Sequence, residues 1–147
     1  MSLVGNNIIY NSSFDTFDID TNTSLYYIFF TEEQTNNFCW DCTGTYVSIQ
    51  NGVTEFDYPD PMDIGMTQFV SIQNTATLQQ TVNPTVNGTY QLSFNYASRN
   101  NFYLNQLQIY FGGNLIDTIL DASAGWNTYT TNISVMNTFS KILSFKG

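Results

Sequence analysis

Cys39-Trp40-Asp41-Cys42 is the segment of this 147-residue chain whose residue types could do chemistry at the shortest range. The spacing of its thiols matches a redox pair, but such a pair needs a strand running into a helix, and no helix-period segment follows. The chain has no histidine and no further cysteine, so the pair cannot complete a zinc site. In an extended strand the two Cα atoms stand too far apart to bridge, whereas in a turn before Gly44 they come within reach. Free thiols and a small local disulfide between Cys39 and Cys42 therefore both stay open. A second set, Asp18, Asp20 and Asn22, alternates oxygen side chains like the opening of a calcium loop. An EF-hand would put glycine at 23 and glutamate at 29, and Thr23 and Phe29 stand there instead. The competing reading of the set is an acidic surface loop.

The missing histidine also removes serine triads, cysteine–histidine nucleophiles and most transition-metal sites. A glycosidase needs only two carboxylates and is not excluded on that ground. Phe17-Asp18-Ile19-Asp20 is similar to the acidic strand signature of jelly-roll glucanases. Its third acid is absent, since Asn22 occupies that place, and the chain is short for that fold. The expectation is a protein that binds and does not catalyse.

Charge narrows the partners. Three basic residues, Arg99, Lys141 and Lys146, stand against twelve acidic ones, for a net charge of −9. Phosphate recognition relies on Lys and Arg, so nucleic acid and anionic membrane are poor partners. The polar surface must be built from Asn, Gln, Ser and Thr, which suits a neutral, hydroxyl-rich ligand and equally suits plain solvation. Sugar sites combine such groups with an aromatic ring that stacks on a pyranose face. The candidates are Tyr110 with Gln91, Asn95 and Gln108, Trp40 and Tyr58 on loops, and Tyr103 near Arg99. For each, core packing or a solvated face is the competing reading. Sequons at Asn11, Asn22, Asn87 and Asn132 carry no message, because a chain with eighteen Asn and many Ser and Thr produces them by chance.

The elements that must position these groups read as strands. Gly88-Thr89-Tyr90-Gln91-Leu92-Ser93-Phe94-Asn95-Tyr96 alternates apolar with polar, as does Leu107-Gln108-Ile109-Tyr110-Phe111. Period-two alternation gives each strand one buried and one wet face. The spacing predicts ten strands, over 7–10, 26–30, 45–50, 67–73, 76–82, 89–97, 105–112, 115–120, 126–135 and 141–146, with a Pro- and Asp-rich loop over 56–65. Tyr90, Leu92, Phe94 and Tyr96 should face the core, with Leu107, Ile109, Phe111, Tyr129, Ile133 and Val135. If the strands around 92, 109 and 130 share a sheet, its outer face gathers Gln91, Ser93, Asn95, Gln106, Gln108, Tyr110, Thr128 and Thr130. Tyr46-Val47-Ser48-Ile49-Gln50-Asn51 nearly repeats as Phe69-Val70-Ser71-Ile72-Gln73-Asn74, which suggests two strands in equivalent environments. At 42% hydrophobic residues the chain is too apolar for disorder, and its longest apolar run, Leu25 to Phe30, is too short for a membrane helix. No secretory signal is visible. Residues 1–5 read as an unordered or cloning-derived start, and 6–147 as one domain.

Asn7-Ile8-Ile9-Tyr10-Asn11-Ser12-Ser13-Phe14-Asp15 resembles the opening of galactose-binding-like jelly rolls, a family that includes carbohydrate-binding modules and bacterial and viral surface proteins. Thr77-Leu78-Gln79-Gln80-Thr81, Gly88 to Phe94, Gly125-Trp126 with Tyr129, and Ile142-Leu143-Ser144-Phe145 are similar too, so the resemblance spans roughly 7–146. It implies an all-β, single-domain jelly-roll β-sandwich of two antiparallel sheets. It also implies a lectin-like, non-catalytic role with no required cofactor, at most a structural calcium with Asp15 at the family's acidic position beside Asp18, Asp20 and Asn22. The family continues into a final acidic strand, and this sequence stops at Gly147. Either the chain is cut short or the sandwich closes differently, leaving an open terminal sheet edge through which a homo-oligomer could form. The reading is a module that recognises neutral carbohydrate, extracellular or on a cell or virion surface, inserting into no membrane. Its rival is a structural or assembly domain of a fibre, capsid or cell-surface structure, making protein–protein contacts.

Overall fold

A computed structural model of the chain describes residues 8–9, 27–29, 40–44, 47–50, 59–98, 105–121 and 125–147. Among them are ten strands: β1 (Tyr27–Phe29), β2 (Asp41–Thr43), β3 (Val47–Gln50), β4 (Phe69–Ile72), β5 (Thr77–Val82), β6 (Gly88–Tyr96), β7 (Asn105–Phe111), β8 (Asn114–Asp121), β9 (Asn127–Val135) and β10 (Lys141–Lys146). Every pairing is antiparallel, and a single short 3-10 turn, Pro61–Ile64, interrupts the predicted 56–65 loop. No described helix is long and apolar enough to cross a membrane.

The strands form three ladders, ordered β2-β5-β10-β7-β8, β6-β9 and β1-β3-β4. The five-stranded sheet makes one layer. Alternation turns Leu78 and Val82 of β5, Ile109 of β7 and Leu143 and Phe145 of β10 to its inner side. Opposite them, β6 and β9 supply Leu92 and Ile133, and the Phe94 ring meets Phe145 edge-on at 5.1 Å. From β3, Val47 and Ile49 join the same core, with Val70 and Ile72 of β4 packed against it. Ile49 and Ile109 are 0% exposed. The molecule is thus a β-sandwich around one core.

Local chemistry explains the connections. Gly112 and Gly113 both take positive φ, 57° and 82°, between the paired residues Phe111 and Asn114. A two-residue turn with left-handed dihedrals matches strand twist, and only glycine adopts them without strain. At Gly44 (φ +91°) a Cβ would sit 2.9 Å from the Ala76 Cα, so the chain can pass the β4–β5 connection there only without a side chain. Asn74 supplies the left-handed residue of that connection.

The near-repeat has a structural meaning. Its two copies are β3 and β4, paired so that Ser48 stands opposite Ser71. Gln50 Nε2 donates to Ser48 Oγ at 3.2 Å, and Gln73 Nε2 to Ser71 Oγ at 3.4 Å. Ser48, Gln50, Gln68 and Ser71 are all buried, on or beside the side of this ladder that faces away from Val47 and Ile49.

Four expectations change. Residues 8 and 9 form no strand, although both isoleucines pack on the core, and the short strand β2 lies where none was expected. β7 does not share a sheet with β6 and β9, because parity fixes which face a residue takes and not which strand lies beside it. The terminal strand β10 offers no open edge, since β5 and β7 flank it on both sides.

Ile109→Ala removes a side chain from the centre of this core and is expected to destabilise by about 2–5 kcal/mol. Leu120→Ala, at a residue 75% exposed on β8, should change stability by less than about 0.5 kcal/mol. Urea unfolding of the two variants checks the pair; equal shifts in midpoint would contradict the assigned parity.

Candidate binding site

Strand register assembles one continuous row across the outer face of the five-stranded sheet. Asp41 pairs with Gln79, Gln79 with Ser144, Ser144 with Tyr110, and Tyr110 with Leu115. One step along the strands lies a second row: Thr43, Thr77, Lys146, Gln108 and Thr118. Neighbouring strands lie roughly 4.8 Å apart, so each row spans about 19 Å. The opposite faces of β5, β7 and β10 carry Leu78, Ile109, Leu143 and Phe145, which are buried, so these rows point away from the core.

Tyr110, on β7, lies beside Ser144 of the middle strand β10. Its hydroxyl donates to Gln108 Oε1 at 3.2 Å, two residues back along the same face. The residue is half-buried, and the bond ties its phenol to a side chain on the same face. A register irregularity between Ile109 and Tyr110, opposite β8, locally twists the sheet beneath it. Ser144, Gln108, Lys146 and Thr118 lie on the strands at or beside the ring, and Gln79, Thr77, Thr43 and Asp41 continue the same face toward β2. Such a surface can stack an apolar ring face and hydrogen-bond neutral hydroxyls.

Gln91 and Asn95 are not part of it. They lie on β6, whose inner residues face the five-stranded sheet, so they belong to the opposite outer face of the sandwich. There Thr128 Oγ1 donates to Asn95 Oδ1 at 2.8 Å, and Ser93 and Thr130 share a hydroxyl hydrogen bond of 3.1 Å. The pairs Thr89–Ser134, Gln91–Asn132, Ser93–Thr130 and Asn95–Thr128 make a ladder that is exposed, uncharged and without an aromatic ring. Asn132, one of the sequon residues, is part of it.

Trp40 is corrected from loop ligand to core residue. It is 4% exposed and its ring lies 6.1 Å from that of Phe145, so no sugar face can reach it. Trp126 also serves the scaffold, donating Nε1–H to the Asp60 carbonyl at 2.8 Å and packing edge-on against Phe69 at 5.6 Å. Tyr58, Arg99 and Tyr103 lie outside the described residues, as do Asp15, Asp18, Asp20, Asn22 and Cys39. Among the described residues no group of three or more acids or cysteines stands close enough to hold a metal ion. The site residues that sequence reasoning missed are Asp41, Gln79, Ser144 and Lys146. Their outward parity is visible beside Leu78, Leu143 and Phe145, but nothing local places β10 between β5 and β7.

By fold, the chain is similar to the native structure of a family 35 carbohydrate binding module from Clostridium thermocellum, with a TM-score of 0.51 and 14% identity over 82% of this chain and 85% of that one. No protein-family model matches the chain, and no curated protein sequence does. The fold is a jelly-roll β-sandwich. At that identity the likeness concerns architecture alone.

Two protons are held more tightly than usual. Burial, and then the Asp41 charge beside it, pushes the free Cys42 thiol from the ordinary 9.0 up to about 12. The Tyr129 phenol is raised by burial first and then by its hydrogen bond to Asp117 Oδ2, 3.0 Å away. A group that binds its proton more tightly when folded contributes stability below its unfolded pKa and loses it as pH climbs toward the folded value. For Cys42 that window runs from pH 9.0 to about 12. The denaturation midpoint should therefore fall as pH rises above 9. At about pH 8 a disulfide reagent should label Cys42 only after unfolding, since the neutral, buried thiol is a poor nucleophile. Peptide mapping separates its label from that of Cys39, and labelling of folded Cys42 at the unfolded rate would refute the assignment.

Proposed function

We propose that the chain is a non-catalytic carbohydrate-binding module that takes neutral glycans on the outer face of its five-stranded sheet. The observation that carries this reading is the cross-strand row Asp41–Gln79–Ser144–Tyr110, with the Tyr110 hydroxyl tied to Gln108 on the same face. In a solvated face of no further use, nothing would require an aromatic ring among the amides and hydroxyls. Here that ring offers a stacking platform, and the groups around it are the neutral donors and acceptors that sugar hydroxyls need. The similarity in fold to a carbohydrate binding module supports the same reading.

Binding follows from geometry without covalent chemistry. A pyranose lays its C–H face on Tyr110, gaining dispersion and removing apolar area from water. Gln79, Gln108 and Ser144 then exchange hydrogen bonds with water for hydrogen bonds with ring hydroxyls, which adds orientation more than affinity. The scaffold beneath is already packed, so little ordering is lost on docking. A module of this kind works outside the cell or on a cell or virion surface, where glycans are met.

Tyr110→Ala should weaken binding about tenfold, the equivalent of about 1.4 kcal/mol, on loss of the stacking platform. Gln91→Ala, on the opposite face, should leave affinity unchanged. Soluble neutral oligosaccharides selected on a glycan array and titrated calorimetrically provide the measurement, with melting temperatures as the control for folding. Equal affinity of the Tyr110→Ala variant and the parent would remove this face from consideration.

A further inference from the structure

Two exposed apolar knots lie beyond opposite ends of β9. Past its C-terminal end, the 136–140 connection holds Met136 at 83% and Phe139 at 74% exposure, and Val86 is exposed in the adjoining β5–β6 connection. These loops are braced. Asn137 Oδ1 accepts the Phe139 N–H at 3.2 Å and Lys141 Nζ at 2.7 Å. Ser140 Oγ donates to Asn83 Oδ1 at 2.7 Å, joining the two loops. The Tyr90 hydroxyl donates to the Val86 carbonyl at 2.9 Å and accepts its N–H at 3.3 Å. Large apolar side chains already fixed in water lose little entropy when a partner covers them. Lys141 Nζ lies 5.8 Å from the Phe139 ring centroid, placing one positive charge beside the apolar group.

Before β9, Trp126 ties itself to the Asp60 carbonyl, and the 3-10 turn that follows holds Met62 at 66% exposure. Asp60 Oδ1 accepts the Met62 N–H at 2.9 Å, and Asp63 is exposed beside it. Nine residues of strand separate the two knots by about 30 Å.

The knots differ in charge. Residues 83–90 and 134–142 include no acid, and their one cation is Lys141, whereas the Met62 turn carries Asp60 and Asp63. Among the described residues, the 136–141 end therefore offers a second copy a cation and no acid within these segments, opposite in sign to the Met62 turn.

We propose that the Met136–Phe139–Lys141 end of one copy docks the Met62–Asp63 turn of a second copy. The two patches are different, so the contact is heterologous and copies add end to end along the strand direction. Phe139 and Met136 meet Met62 at the centre, with Lys141 against Asp63 at the rim, a division of roles usual for interfaces. The area is small, so association is expected in the range of roughly 10 μM to 1 mM. The outer face bearing Tyr110 runs parallel to the strands and stays open in such a stack.

Sedimentation velocity of the full chain, without glycan, over that concentration range tests this. The weight-average sedimentation coefficient should rise with concentration. Phe139→Asp and Met62→Asp should each weaken association at least about tenfold. Both residues are exposed, so melting temperatures should hold. A mixture of the two variants should form dimers and nothing longer, because each keeps one intact end. Lys141→Glu should weaken association, and Lys141→Glu with Asp63→Lys should restore it. A chain that sediments as a monomer throughout overturns the proposal. So does association that Phe139→Asp leaves unchanged, or a mixture that stays monomeric.

Discussion

The edge-on contact of Phe94 with Phe145 is the interaction on which the rest depends, because it joins β6 to the middle strand of the five-stranded sheet. Each ring continues a network: Phe94 also packs on Tyr129 at 5.1 Å, and Phe145 on Trp40 at 6.1 Å. Once these rings are inside, strand geometry leaves no freedom. Side chains alternate with period two, so Asn95 must face outward on one layer and Ser144 outward on the other. A one-residue slip of β10 would exchange Leu143 and Phe145 for Ile142 and Ser144, emptying the core and removing the centre of the candidate site together. Core and binding face are two sides of one register.

Much of this was legible in the residues. Alternation in β6, β7 and β9 gave the buried and wet faces, Gly112-Gly113 gave the hairpin, and the near-repeat gave two equivalent strands. Strand neighbours were not legible, because alternation records only burial. That is why Gln91 and Asn95 were grouped with Gln108 and Tyr110, although β7 lies in the other layer. Trp40 misled for a related reason. Cysteines, an aspartate and a following glycine suggest a turn, yet Cys42 is buried between exposed Asp41 and Thr43, as in any two-faced strand. Gln80 shows the converse, an amide on the inner face between Leu78 and Val82 and buried like them. Residue type alone places it wrongly, and parity places it correctly.

The paired Ser-x-Gln segments solve a specific problem. β3 is buried on both faces, so apolar burial alone would tolerate either orientation of that strand. Ser48 and Gln50 break the symmetry. Left unpaired in the interior each would cost on the order of 1–3 kcal/mol, and their mutual hydrogen bond offsets part of that only when both lie on the same face. The matching bond from Gln73 to Ser71 on β4 repeats the condition across the ladder. Two small polar pairs thus specify an orientation that hydrophobicity leaves undecided.

Distribution of charge gives the molecule its directions. Ten of the twelve acids fall between residues 15 and 63, leaving Asp117 and Asp121 as the only ones after that point. The second half of the chain supplies β5 to β10, so the outward residues of these strands are mostly neutral amides and hydroxyls. A face carrying one cation and one anion among neutral groups holds few counter-ions that a neutral sugar would have to displace. Asp60 and Asp63 at one end and Lys141 at the other act differently, since unlike charges favour contact between those ends. The proposed recognition across the strands and the proposed contact along them therefore use perpendicular directions of the same scaffold. Neither obstructs the other, because the residues that turn outward from the sheets are not those that close its ends.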